Sequence, residues 1–202
     1  VLRDGMHLMA GPAFQAQKGY NWAAPQGVQA RVAAIVNAYA TGNVTGGTEA
    51  GGLVGRNAIG HVENAYATGS VTSSQAFARV GGIAGFNNGV IYRVHASGAV
   101  TGTDATTTQG LVGWNEGAVE NARWDTERTG RATGVHNALG ATTNVVGLTH
   151  AQMFDSANYA GFAFTTTPDT ADAWVIVNRG TVGGLNNVRA AGATGILLFG
   201  IV

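Results

Sequence analysis

A parallel β-solenoid of three to four coils is the fold that this 202-residue sequence predicts. Three observations predict it. One phrase is written three times in register; inside it, columns that accept substitution alternate with columns that refuse it; and glycine, at 32 residues, returns at fixed points. A catalytic centre needs its residues once, whereas a stack of layers needs them at every layer.

The phrase reads NAYATGNVTGGTEAGGLVG at 37–55, NAYATGSVTSSQAFARVGGIAG at 64–85 and RVHASGAVTGTDATTTQGLVG at 93–113. A fourth copy opens at Asn121 as NARWDTERTG. The tyrosine column runs Tyr39, Tyr66, His95 and Arg123, in steps of 27, 29 and 28 residues. Beside it, Ala38/Ala65/Val94/Ala122 and Ala40/Ala67/Ala96 stay small and apolar, while Val44/Val71/Val100, Leu53/Ile83/Leu111 and Val62/Ile91/Val119 stay aliphatic. Constant apolar columns point inward, and a column that passes from Tyr to His to Arg points outward. That alternation is the period of strands buried on one face. Like residues then sit over like, about 4.8 Å apart from coil to coil.

Gly52, Leu53 and Gly55, then Gly82, Ile83 and Gly85, then Gly110, Leu111 and Gly113 are the structural repeat residues. Glycine there serves corners with φ > 0 and places where the backbone turns inward without room for a side chain. Asn57, Asn87 and Asn115 follow these segments and read as an internal amide ladder at a turn, in the left-handed conformation that Asn tolerates. Most of the length variation falls in one stretch: nine residues from Val44 to Leu53, twelve from Val71 to Ile83 and eleven from Val100 to Leu111. Insertions in a solenoid collect on one edge, so the loops at 73–81 and 102–109 form a candidate ligand edge; simple drift in loop length gives the same pattern.

The chain divides into an N-terminal cap or partial coil (1–35), the repeat array (36–130) and a C-terminal closing segment (131–202). Pro12, Tyr20, Trp22 and Pro25 stand outside the rhythm, and after Gly130 the rhythm fails again. LTHAQMF (148–154) reads as one short helix with Thr149 as its N-cap, and WVIVN (174–178) and GILLFGIV (195–202) read as strands. An uncovered ILLFGIV is an edge that invites end-to-end association. With no signal-like segment ahead of Val1, the chain reads as a mature or cut piece.

Composition narrows the partners. Charged residues make up 11%, against roughly 25% in an ordinary soluble domain. The formal net charge is zero and Lys18 is the only lysine, so there is no basic face for nucleic acid or anionic lipid. The run ILLFGIV falls far short of the roughly 18 residues of a membrane span. Cysteine is absent, which removes disulfides, thiolate catalysis and zinc–thiolate sites.

None of His7, His61, His95, His136 and His150 lies in an HExxH pattern. The acidic pairs are Asp125 with Glu127 and Glu63 with Glu120. The second pair stands two coils apart in an outward column, about 9–10 Å by the coil rise, a spacing that inverting glycosidases use. No third polar group converges on it, and no catalytic residue, metal or cofactor is assigned. Tyr39, Tyr66 and His95 form one exposed ring column, and Phe86 with Trp114 a second. Both are candidate surface-binding columns because aromatic faces suit sugars, and stacking that stiffens the coil explains them more simply. The ladders Thr41/Thr68/Ser97 and Thr45/Thr72/Thr101 follow from the β-preference of threonine and not from ice binding.

GGLVG, GGIAG and QGLVG, each preceded by an AYATGxV-like strand, resemble the GLUG repeat of bacterial surface proteins. That repeat occurs in filamentous-haemagglutinin-type exoproteins exported by two-partner secretion, and in non-catalytic parts of some IgA-specific metallopeptidases. NARWDTERTG, VGLTHAQM and FAFTTT…WVIVN are similar to the YWDT…GLTTAQM…WVI close of haemagglutinin-like adhesins, so the resemblance covers about residues 36–178. Two features depart from the pattern. NRGTVGGLNNVRAAGATG stands where a Y.PLL phrase usually follows, and the amino-terminal secretion domain is not visible. The resemblance implies a secreted, surface-associated solenoid that serves adhesion or scaffolding. Its implied partners are a host or neighbouring cell-surface receptor or glycan, an outer-membrane secretion partner, and further copies end to end. The alternatives are a non-catalytic stalk of a larger secreted enzyme and a carbohydrate-processing β-helix.

Overall fold

A computed structural model describes residues 34–164 and two further strands, Ala173–Val177 and Gly195–Phe199. The cap expected over 1–35 lies almost wholly outside the described residues. The first coil is β1 (Ala34–Ala40), β2 (Val44–Thr45), β3 (Glu49–Gly51) and β4 (Val54–Asn57). The second is β5 (His61–Ala67), β6 (Val71–Thr72), β7 (Arg79–Gly81) and β8 (Ala84–Asn87). The third is β9 (Val90–Ala96), β10 (Val100–Thr101), β11 (Thr108–Gln109) and β12 (Val112–Asn115).

Each strand pairs in parallel with its copy one coil away, giving ladders β1-β5-β9-β13-β15, β2-β6-β10, β3-β7-β11 and β4-β8-β12-β14. Tyr39 pairs with Tyr66, Tyr66 with His95 and His95 with Arg123, as the repeat demands. The stack does not stop where the sequence rhythm does. β13 (Ala118–Asp125), the short helix α1 (Thr126–Thr129), β14 (Val135–Asn137) and β15 (Ala141–Leu148) continue it in parallel beyond Gly130.

The long strand of each coil carries one left-handed residue: Asn37 (φ 53), Asn64 (φ 49), Arg93 (φ 52), Asn121 (φ 49) and Asn144 (φ 52). One such residue shifts the in–out alternation by a single step. Ile35, Val62, Ile91 and Val119 face the interior before it, and Ala38, Ala65, Val94 and Ala122 face the same interior three residues later. The left-handed column was expected at Asn57, Asn87 and Asn115; none of these has positive φ. They end extended strands, and their amides turn inward. The ladder they form is real: Asn57 Nδ2 donates to Asn87 Oδ1 at 2.7 Å and Asn87 Nδ2 to Asn115 Oδ1 at 2.7 Å. Asn137 is a fourth rung, accepting from Asn115 Nδ2 at 2.9 Å.

The interior divides into a main cluster around Leu53, Ile83 and Leu111 and a smaller one of Val44, Ala50, Val71, Ala78, Val80 and Val100. Backbone closes the waist between them. A Cβ on Gly85 would stand 2.6 Å from Ala50 N and 2.8 Å from Arg79 O, so β7 and β8 approach only because that position is bare. In the fourth coil Trp124 takes the place of the inward alanines and fills the interior, its Nε1 donating to Arg131 O at 2.8 Å.

After Leu148 the chain turns back over the outer face of the long sheet. LTHAQMF holds a single 3-10 turn, Gln152–Phe154, and not an α-helix. The turn's N-cap is Ala151, without a side-chain cap, and not Thr149; Thr149 stands two residues earlier, its Oγ1 accepting from Gln152 N at 3.3 Å while Gln152 Oε1 accepts from Thr149 N at 2.9 Å. A second turn, Ser156–Asn158, follows, and the strand Ala173–Val177 pairs antiparallel with Gly195–Phe199.

Candidate functional site

The ring column between the inward alanines is well formed. Tyr39 and Tyr66 stack at 5.4 Å with planes 11° apart, and Tyr66 and His95 at 5.3 Å and 13°. It is not, however, an exposed strip. Tyr66 is 5% exposed and His95 2%, because the returning segment lays Met153, Tyr159, Phe162, Phe164 and Trp174 across Tyr39 and Tyr66. Trp174 stands 6.4 Å from Tyr66 and 6.1 Å from His95. Burial, with Tyr39 alongside, pushes the Tyr66 phenol well above its ordinary value. Substitution in this column thus reflects changing partners in the cover, and the expected exposed binding surface is absent at Tyr66 and His95.

Arg123 fastens the cover. The guanidinium is buried, Arg123 being 1% exposed, and it is satisfied by carbonyls. Nε donates to Asn158 O at 2.6 Å, Nη1 to Ala122 O at 2.9 Å and Asn144 O at 2.6 Å, and Nη2 to Asn144 Oδ1 at 3.1 Å and Ala160 O at 3.3 Å. The planar five-donor fork suits such a site, where a lysine could not reach every acceptor. Desolvation draws its pKa downward, opposed by Tyr159.

The second aromatic column is also engaged. Arg56, Phe86 and Trp114 are in register, and the Arg56 guanidinium lies 4.2 Å above the Phe86 ring. Arg79 sits 5.1 Å from Phe86 and 4.7 Å from Trp114, and His136 lies 4.9 Å beyond the indole. Glu49 holds both cations: Arg56 Nε donates to Oε2 at 2.7 Å and Arg79 Nη1 to Oε1 at 3.0 Å. Phe86 is thereby buried and Trp114 half-buried, with guanidinium groups on the faces where a sugar would have to stack.

Asp125, Glu127 and Glu63 hold the structure. Asp125 is fully buried and caps α1, accepting from Glu127 N at 3.1 Å and Arg128 N at 2.9 Å. Its other oxygen meets His150 Nδ1 at 2.6 Å, and Glu127 Oε2 accepts from His150 N at 2.9 Å, tying α1 to the returning segment. Glu63 and Glu120 do share a column, with Tyr92 between them in register. Burial pulls the Glu63 pKa upward, but hydrogen bonds and charge from Arg93 and His61 outweigh it and leave it below the usual carboxylate value. Such a group stays ionised and is unsuited to giving up a proton near neutrality.

The length-variable edge is ordered by its own hydroxyls. Ser73 Oγ donates to Gly47 O at 2.7 Å, Thr103 Oγ1 to Gln75 O at 2.7 Å and Thr107 Oγ1 to Ala78 O at 2.7 Å, each bridging to the coil before. Phe77 projects from this edge with 84% of its surface exposed and with φ 59. The loop expectation marked the segment by its length; no signal in the repeat marked that residue.

Residues 46–72 match the family model of the GLUG motif, a span that runs from the corner after β2 through β6. No curated protein and no solved structure matches the chain. Among the described residues no helix is long and apolar enough to cross a membrane.

Proposed function

We propose that the chain is part of an extracellular bacterial adhesin or surface scaffold that acts by presenting its surface and not by catalysis. One observation carries the reading: a GLUG match lies inside an in-register parallel stack whose polar side chains fasten layer to layer. The non-catalytic part of the reading draws support from Asp125, which caps a helix, and Glu63, which pairs with Arg93. The partners that fit are a receptor or glycan on a host or neighbouring cell, an outer-membrane export partner, and further copies joined end to end.

The test is display of the full chain on a non-adherent bacterial cell. The displayed chain confers attachment to host or sister cells, and soluble chain competes it away. Attachment no greater than that of a displayed control domain overturns the reading, as does glycan turnover that Asp125→Asn abolishes.

A further inference from the structure

Among the described residues, no packing explains Phe77. Its ring is 84% exposed and joins none of the apolar clusters. Its backbone is left-handed, a conformation in which a bulky aromatic is strained and which Asn or Gly enters readily. Yet the loop is rigidly held. Ser73 Oγ bonds Gly47 O and accepts from Gln75 N, Thr103 Oγ1 holds Gln75 O, and Thr107 Oγ1 holds Ala78 O beside the buried Ala78 methyl. The ring is thus projected from a backbone that neighbouring coils fix on both sides.

Its surroundings select the ligand. In the three stacked loops, 46–48, 73–78 and 102–107, Asp104 is the only charged residue, and its Oδ1 accepts from Thr106 N at 2.8 Å. Thr48, Ser74, Gln75, Thr103 and Thr106 are exposed there, and Phe77 is the only exposed large hydrophobic residue in these loops. Protein hot spots cluster in well-packed pockets, whereas Phe77 stands alone as the large apolar residue of these loops. A polyanion requires cations; these loops hold none, and Arg79, next along the chain, is already paired with Glu49 at 3.0 Å. A sugar ring offers C–H groups to one aromatic face and hydroxyls to groups that both donate and accept.

We propose that Phe77, with the hydroxyl- and amide-bearing rim of loops 73–78 and 102–107, is a contact site for an uncharged hexose ring of a cell-surface glycan. The site rests on the surface-presenting reading above and names its ligand class.

The test uses the full chain on an array of glucose-, galactose-, mannose- and N-acetylhexosamine-terminated oligosaccharides, with sialylated and sulfated glycans alongside. A neutral oligosaccharide binds; Phe77→Ala and Phe77→Asn weaken it by about tenfold or more, and Phe77→Trp retains it. Phe77→Asn also raises the melting temperature, since it relieves the backbone while losing the ligand, which separates this role from a structural one. Binding of acidic glycans alone, neutral binding indifferent to both substitutions, capture only by a protein receptor, or a melting temperature lowered by Phe77→Asn each overturns the site. Cell attachment that persists in an array-negative chain overturns the site while leaving the surface-presenting reading standing.

Discussion

The indole of Trp124 stands in the fourth coil where Ala96 stands in the third, and it rests on the bare Cα of Gly110. A Cβ on Gly110 would come within 2.7 Å of the indole Cγ and 2.8 Å of Nε1. Gly134 and Gly147 are bare for the same reason, each with a Cβ position 2.6 Å from the ring. The small residues around Trp124 are therefore the shape of its socket. Gly110→Ala overpacks that socket and lowers stability by about 1–3 kcal/mol. Trp124→Ala empties it and lowers stability by about 3–5 kcal/mol. Urea denaturation of the two variants checks both, and an unchanged midpoint in either shows that the indole is not filling the interior.

The amide ladder gives a graded expectation. Asn87 is fully buried and bonded on both sides, whereas Asn57 bonds Asn87 alone among the amides of the ladder. Asn87→Ala leaves a donor on Asn57 and an acceptor on Asn115 without their partners, a loss of about 2–4 kcal/mol. Asn57→Ala removes a donor from Asn87 Oδ1 and from Gly60 O, but Gly89 N and Val90 N still serve those acceptors, so the loss is about half as large. Equal losses at the two positions, read by thermal melting, would contradict a cooperative ladder.

Arg123 makes the returning segment removable by one substitution. Arg123→Met keeps much of the apolar stem but strands the carbonyls of Asn144, Asn158 and Ala160. Hydrogen exchange and proteolytic cleavage across 150–164 accelerate in the variant, while amides of β6 and β7 stay protected. Arg123→Lys behaves like the methionine variant, because one ammonium cannot reach three elements. Protection unchanged across 150–164 removes Arg123 as the fastening.

The pH dependence has two limbs. Glu63 has a lowered pKa in the fold, so its contribution is complete at neutral pH and is lost as pH falls from the ordinary carboxylate value of 4.5 through the lower folded value. Glu63→Gln flattens that acid limb, by under about 1 kcal/mol because the pair is partly solvated. Tyr66 and Tyr159 are raised by burial, Tyr159 despite the opposing pull of Arg123. Their contribution is complete below about pH 10, the ordinary phenol value, and lost as pH climbs above it. Absorbance at the phenolate band shows the two rings ionising only as the chain unfolds; reversible ionisation in the folded protein would refute their burial.

Much of the architecture is legible in the sequence because parallel stacking makes each coil repeat its neighbour. Tyr39, Tyr66 and His95 align in the text for the reason that they stack in space. The face they point to is not legible that way. Self-alignment reports whether a column changes, and Arg123 changes it because the cover there offers carbonyls in place of rings. That cover comes from residues with no repeat to betray them. The left-handed column was visible as Asn37, Asn64 and Asn121, but Arg93 breaks it, and the unbroken Asn57/Asn87/Asn115 column drew the assignment instead. Asn137 escaped notice since it follows Asn115 by 22 residues, where the earlier rungs are 30 and 28 apart. At the edge, loop length pointed to the segment, and only the backbone angle and exposure distinguished Phe77.

A stack whose layers touch only their neighbours sheds them one by one from its ends. The returning segment changes that behaviour here, for Trp174 Nε1 reaches Asn64 Oδ1 in the second coil at 3.4 Å while Arg123 grips the segment from the fourth. Layers that do not adjoin are lashed to a common spar, and none of them can peel away until the spar lifts. Fraying gives way to all-or-none melting over coils two to four, so a pull applied along the stack meets one yield point and not a staircase.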